Sequence, residues 1–387
     1  MSWGKALLFA SILLVSLLFP NSLLEYGSDK TEKMLIKPLE KVFTSVSLDA
    51  YAAPLPYFNI TNTIKTNRGA CGVVVNTDMN RLYVTTYNTD SLSVVSGSTN
   101  SVVDIIDVGR LPCAVALNTD ENIVYVINEF GNSISVIDGS TKTVVDTIEI
   151  HRPYELVFNP NTKMLYVTSD ANDSVFVIDA DTKDVITTFS IDDPCGIAIN
   201  RKTNTVYVTS EDLGLLYVID GSTNSVVTTV KASDGARGIA VNLDTNIVYV
   251  ANSKSNSISV IDGSSNSVLT TISVEDDPRR VAVNPKTNML YLISGKSGLV
   301  TLIDGSTNSV VNKLQIRNPY EVSVDSETNM VYVTNRSDRV FVIEGYVKDE
   351  PLMLSLPIVI AIAAAGVAGG VAAVLLRKKQ LKLSKAS

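Results

Sequence analysis

Residues 247–274 read IVYVANSKSNSISVIDGSSNSVLTTISV, three short runs of alternating β-branched residues separated by turns rich in Asn, Ser, Asp and Gly. Alternation with period two over four to eight residues, bounded by turn formers, predicts half-buried strands. Versions of this stretch recur along most of the chain. Its tyrosine returns as Tyr83, Tyr125, Tyr166, Tyr207, Tyr249, Tyr291 and Tyr332, at intervals of 41 or 42 residues. Seven copies of a unit of this size predict a seven-bladed β-propeller, each blade a four-stranded antiparallel sheet.

Within one unit the strands are expected at Gly238 to Asn242 (a), Ile247 to Ala251 (b), Ser257 to Ile261 (c) and Ser267 to Val274 (d). Strands a and b are joined by turns such as Asn284-Pro285-Lys286-Thr287-Asn288, and c and d by turns such as Asp220-Gly221-Ser222-Thr223-Asn224. Asp and Asn accept hydrogen bonds from backbone two residues on, and Gly is expected to supply the positive φ. The count of strands fails at the C-terminal end, where Arg339 to Glu344 is followed by no d strand. A spare strand stands at the other end. Tyr57 to Thr66 (YFNITNTIKT) resembles Ser140 to Ile150 and precedes the first a strand, so it is expected to pair with the last c strand and close the ring. Closure removes the open sheet edges that recruit other chains.

The composition suits this reading, with 45% apolar and 19% charged residues and a formal net charge of -8. The last eleven residues carry Arg377, Lys378, Lys379, Lys382 and Lys385 and no acid, so the rest of the chain is more acidic still. Nucleic-acid affinity comes largely from neutralising phosphates with Lys and Arg, and that partner is disfavoured. No cofactor motif is present.

The termini point to a membrane. Lys5 is followed by the apolar run Ala6 to Phe19 and then Pro20, so residues 1–25 read as a signal peptide or an uncleaved signal anchor. Residues 26–56 read as a linker, with a helical turn or two around Met34 to Phe43. The propeller is expected over residues 57–345 and a short juxtamembrane linker over residues 346–351. Leu352 to Leu376 is 25 residues without a charge, enough as a helix to cross a hydrocarbon core. It is followed by a basic tail, residues 377–387, which the positive-inside tendency keeps in the cytoplasm with the propeller outside. Gly366 and Gly370, four apart in that span, would let two helices approach closely.

The tyrosine strand appears as Val331-Tyr332-Val333-Thr334-Asn335, and in relaxed form as Leu165-Tyr166-Val167-Thr168-Ser169 and Val206-Tyr207-Val208-Thr209-Ser210. With Val260-Ile261-Asp262-Gly263 downstream, the chain resembles the YVTN family of β-propeller repeats over about residues 57–345. The resemblance implies a seven-bladed propeller and a setting among archaeal surface-layer and other envelope proteins. It brings no catalytic residue. The only tryptophan is Trp3, so propeller groups with recurrent blade tryptophans are poor matches.

The a-b and c-d turns share one face and are nearly uniform; the d-a and b-c connections share the other and vary. Variation among repeats marks the ligand-facing side. Candidate ligand or partner residues there are Arg68, Arg110, His151, Arg152, Tyr154, Asp193, Arg237, Asp277, Arg279, Arg317 and Tyr320. A mixed ring of Arg, Asp and Tyr around a funnel suits an anionic or sugar ligand or a protein partner, although the plainer reading, which the sequence favours, is a solvated polar rim around a water-filled channel. His151 is the only histidine, which excludes multi-histidine metal sites. Cys71, Cys113 and Cys195 fall just before strand a in blades one, two and four; they are expected as buried thiols at the channel wall, with no metal site. Asp179 to Asp184 lacks the Gly and distal Glu of a calcium loop and reads as a hairpin. Asn59, Asn172 and Asn335 begin glycosylation sequons, that of Asn59 expected within a paired strand.

The expected function is a membrane-anchored extracellular propeller that binds proteins or glycans in the cell envelope, in a surface-layer or adhesion role. The rival is a propeller hydrolase or lyase acting on a small substrate in the funnel.

Overall fold

The computed structural model describes residues 58–346, residue 276 excepted. The expected signal segment, linker, membrane span and basic tail lie outside the described residues. Among the described residues no helix is long and apolar enough to cross a membrane.

The described residues form seven four-stranded antiparallel sheets, each running a-b-c-d outward from a common axis. In the fifth blade the strands are Ala236–Asn242, Ile247–Asn252, Ser257–Asp262 and Ser267–Ser273. The a strand starts two residues earlier than expected, because Ala236 pairs with Asn252 across a register shift before Ile239. Strands b and c are buried almost throughout, and d is largely exposed on the outer edge, with Ile272 turned inward.

Seven apolar clusters hold these residues together, one between each pair of neighbouring blades. Each repeat tyrosine faces the next blade. Tyr249, for example, packs with Val281, Leu290 and Leu292 of the sixth blade. A single blade would leave such faces wet, so the ring is stable only when complete.

Closure occurs as the spare strand implied. The strand Ile60–Lys65 pairs antiparallel with Arg339–Glu344 in the order that supplies the seventh blade's outer strand. Thr334 adds a tie from the seventh blade to the first by donating its hydroxyl to the Cys71 carbonyl. Thr209 does the same between the fourth and fifth blades, donating to the Arg237 carbonyl at 2.6 Å while accepting from the Gly196 N–H at 2.8 Å. The threonine of the tyrosine strand therefore satisfies the irregular inner strand of its own blade and clasps the next.

The Asp-Gly turns correct one expectation. Asp262 Oδ1 accepts from the Ser264 N–H at 2.7 Å as anticipated, but the left-handed residue of the turn is Asn266, with φ 53°, not Gly263. Asn224 and Asn308 take the same conformation in their turns, at φ 51° and 53°. The glycine is needed for room. A Cβ on Gly263 would lie 2.7 Å from Asn246 Oδ1 and 2.9 Å from the Tyr207 hydroxyl of the preceding blade. The repeat tyrosine and the Asp-Gly turn are thus two halves of one interblade contact. Gly263→Ala is expected to destabilise the protein by about 1–3 kcal/mol through overpacking, read by urea unfolding. A stability equal to wild type would break the link between the two motifs.

The uniform face also carries a belt of asparagines. Asn242 Nδ2 donates to Asn288 Oδ1 at 2.7 Å, Asn200 to Asn246 at 2.6 Å and Asn284 to Asn329 at 2.7 Å, each spanning one blade boundary. Uniformity on this face reflects a repeated structural contact.

Candidate functional site: an arginine funnel closed by a buried triad

The seven a strands line the central channel at one level with Gly72, Ala114, Glu155, Gly196, Gly238, Arg280 and Glu321, around a space of about 210 Å³. These residues occupy equivalent positions, the second after the Pro or Ala that opens each inner segment. Where the residue is glycine the neighbouring strand approaches closely: a Cβ on Gly238 would lie 2.3 Å from the Arg279 carbonyl oxygen. Where it is charged the side chain enters the channel. Arg280 donates from Nη2 to Glu155 at 2.7 Å and from Nε to Glu321 at 3.0 Å, joining blades six, three and seven across the axis. Arg280 is 8% exposed and also lies against the rings of Tyr154 and Tyr320, at 5.8 and 6.0 Å.

Two half-buried carboxylates share this one buried guanidinium. Burial pushes Glu321 up from the ordinary carboxylate range, with Glu155 adding to the rise and Arg280 opposing it, to about 7. A folded pKa above the unfolded one makes the group's contribution most favourable below about pH 4.5, and that contribution declines as pH rises through 7. Wild type is therefore expected to lose stability between pH 5 and 8 relative to Glu321→Gln, which keeps an acceptor for Arg280 and does not ionise. Paired urea titrations at the two pH values check this; parallel pH dependence in the two proteins would contradict it.

Above the triad, toward the variable face, lies a second space of about 220 Å³ lined by Tyr154, Arg237, Arg279, Arg280, Tyr320 and Arg336 among others. Arg237 ion-pairs with Glu211 at 3.1 Å and donates to the Tyr154 hydroxyl at 3.2 Å. Arg279 Nε binds Asp277 at 2.7 Å. Arg336 has no carboxylate partner among the described residues; its guanidinium lies 4.1 Å from the Tyr320 ring centroid and 5.8 Å from that of Tyr87.

Of the residues singled out from sequence, the fold brings Tyr154, Arg237, Arg279 and Tyr320 together at this pocket, with Asp277 behind Arg279. Arg152 stands apart, pairing with Glu129 at 3.6 Å over the Phe130 ring. Arg68, Arg110, His151 and Arg317 are exposed on the rim and form no ion pair among the described residues. The triad of Arg280, Glu155 and Glu321 escaped sequence reading, as did the place of Arg336. Aligning the seven a strands by their opening Pro or Ala would have found the triad, since its column holds three charges among small residues.

Asp193 lies beside Cys195 and Glu211, with possible metal-ligating atoms within 4.8 Å of one another. Glu211 is already held by Arg237, and the Cys195 thiol donates to Glu211 at 3.5 Å. Burial holds the Cys195 thiol far above its usual range, so it remains protonated and braces Glu211. Cys71 is likewise pushed up to about 11 by burial, and all three cysteines are unpaired. The three thiols are expected to resist a maleimide in the folded protein and all to react in urea without reductant. Fewer than three reacting in urea would reveal a disulfide.

The sequons differ in access. Asn59 is exposed and precedes the closing strand instead of lying within it. Asn172 is exposed but its amide donates to the His151 carbonyl at 3.0 Å. Asn335 is buried and accepts from the Ser337 N–H at 3.1 Å.

The fold and site define a closed seven-bladed β-propeller with an arginine-lined funnel on its variable face. Residues 69–236 match the YNCE-like β-propeller family. No curated protein matches the chain. Among solved structures it is similar to hydrazine synthase of Kuenenia stuttgartiensis, with a TM-score of 0.66 and 20% identity over 73% of this chain and 98% of that one. At that identity the likeness concerns the fold.

Proposed function

We propose that the protein is a membrane-anchored extracellular propeller that acts as a non-enzymatic binding or structural module of the cell envelope. The observation that carries this reading is the asymmetry of the two faces. One is a repeated lattice of Asn, Asp-Gly and Tyr contacts, and the other differs from blade to blade and gathers arginines and tyrosines at a funnel. The apolar segment 352–376 with its basic tail supplies the anchor, and the YVTN-like motif supports a surface-layer or adhesion setting of archaeal type. An extracellular protein or glycan is the partner, and Gly366 and Gly370 would serve any pairing of anchors.

Protease treatment of intact cells is expected to remove the propeller while the basic tail stays protected. Protection until the membrane is opened would overturn the location. Substituting Arg152, Arg237 and Arg279 separates this reading from the rival hydrolase or lyase: loss of adhesion supports binding, and loss of turnover supports catalysis.

A further inference from the structure

We infer that the funnel pocket binds a compact oxyanion, the carboxylate or phosphate group of a small ligand, between Arg279, Arg336 and Tyr320 above the Arg280 triad. The proposal rests on the variable face being the binding face and names what that face would hold.

Four guanidiniums line a space of about 220 Å³, and among the described residues no carboxylate side chain lines it. The acids that balance the arginines sit behind them. Glu211 engages Arg237, Asp277 takes the Nε of Arg279, and Glu155 and Glu321 hold Arg280 from the channel side. Arginine carries five N–H donors in a planar fork, so an acid on one edge fixes the plane and leaves other donors available. Among the described residues the terminal nitrogens of Arg279 have no partner and Arg336 has no carboxylate partner.

Arg336 takes the left-handed conformation common to the turns of this ring, with φ 55°. Its N–H is tied to the Ala70 carbonyl at 2.8 Å, across the junction of the seventh and first blades. That tie fixes the turn, which presents a cation stacked on Tyr320 at the pocket wall.

The arginines are also graded in depth. Arg279 and Arg336 are exposed, Arg237 is half-buried and Arg280 is buried at the floor. An anion entering meets cations that are progressively less screened. The space of about 220 Å³ itself limits the size of the group that can enter between the arginines.

Isothermal titration calorimetry of the detergent-solubilised full chain at fixed ionic strength tests this with inorganic phosphate, galacturonate and galactose. Saturable binding of phosphate or galacturonate is expected, none of galactose, and the tighter of the two anions identifies the source of the group. Arg336→Gln and Arg279→Gln should each weaken binding by about tenfold, the loss of one charge-assisted contact, with unchanged thermal unfolding. Arg336→Lys, which keeps the charge without the fork, should fall between. Failure of both anions to bind at millimolar concentration, equal binding of galactose, or affinity unchanged in both glutamine variants would overturn the proposal. Calorimetry is independent of cellular location, so failure here removes the ligand and leaves the envelope reading to the protease experiment.

Discussion

Arg280→Met is expected to destabilise the propeller by about 3 kcal/mol at pH 8, because it leaves the half-buried Glu155 and Glu321 facing each other across the channel without their shared cation. Methionine fills much of the same volume, so the loss reports charge more than packing. Without their cation the two carboxylates repel each other, and ionisation of the pair would oppose folding. The defect should therefore be smaller at pH 5, where the acids take up protons, and grow as pH rises. Replacing all three residues by apolar ones should recover most of the loss, since a buried ion pair is often no better than a well-packed apolar substitute. Urea titrations of the single and triple variants at pH 5 and 8 check this. A single variant equally stable at both pH values would mean that water reaches the triad and that the channel is not closed there.

Removal of residues 57–66 is expected to have a comparable or larger effect. Ile64 is 1% exposed and packs with Leu82, Tyr332 and Val340, between the seventh and first blades. Phe58 is buried against Tyr291 and Ile316 of the sixth blade, its ring centroid 6.0 Å from that of Tyr291. Burial of these two side chains is worth about 3–6 kcal/mol before the strand pairing is counted. The deletion also bares Arg339–Glu344 as an open edge, which invites pairing with another copy. The expected result is loss of the cooperative unfolding transition or concentration-dependent oligomers in light scattering. A monomeric truncated protein with an unchanged melting temperature would contradict closure by this strand.

The blades were legible because the repeat tyrosine and the Asp-Gly turn recur at a constant interval, and both belong to one interblade contact, as Tyr207 and Gly263 illustrate. Ring closure was legible from strand accounting alone. The site was legible only in part. Loop position identified Arg237, Arg279, Tyr154 and Tyr320, whose side chains converge, and equally Arg68, Arg110 and Arg317, whose side chains do not. The triad was hidden for a physical reason. Glu155 and Arg280 are 125 positions apart in sequence and meet only because their inner strands lie across one narrow channel. The irregular register of the inner strands matters too. Pro278 pairs with Ser294 and Arg280 with Ile293, so alternation along the strand does not by itself say that Arg280 turns inward while Arg279 reaches the rim.

If the variable face carries function and the uniform face only structure, photo-crosslinking on intact cells from one position on each face will separate them, using Arg317 on the variable rim and Lys202 in an a-b turn of the uniform face, both exposed. Discrete crosslinked species should form from position 317 and not from position 202. Equal capture from both positions, or capture from position 202 alone, would contradict that division.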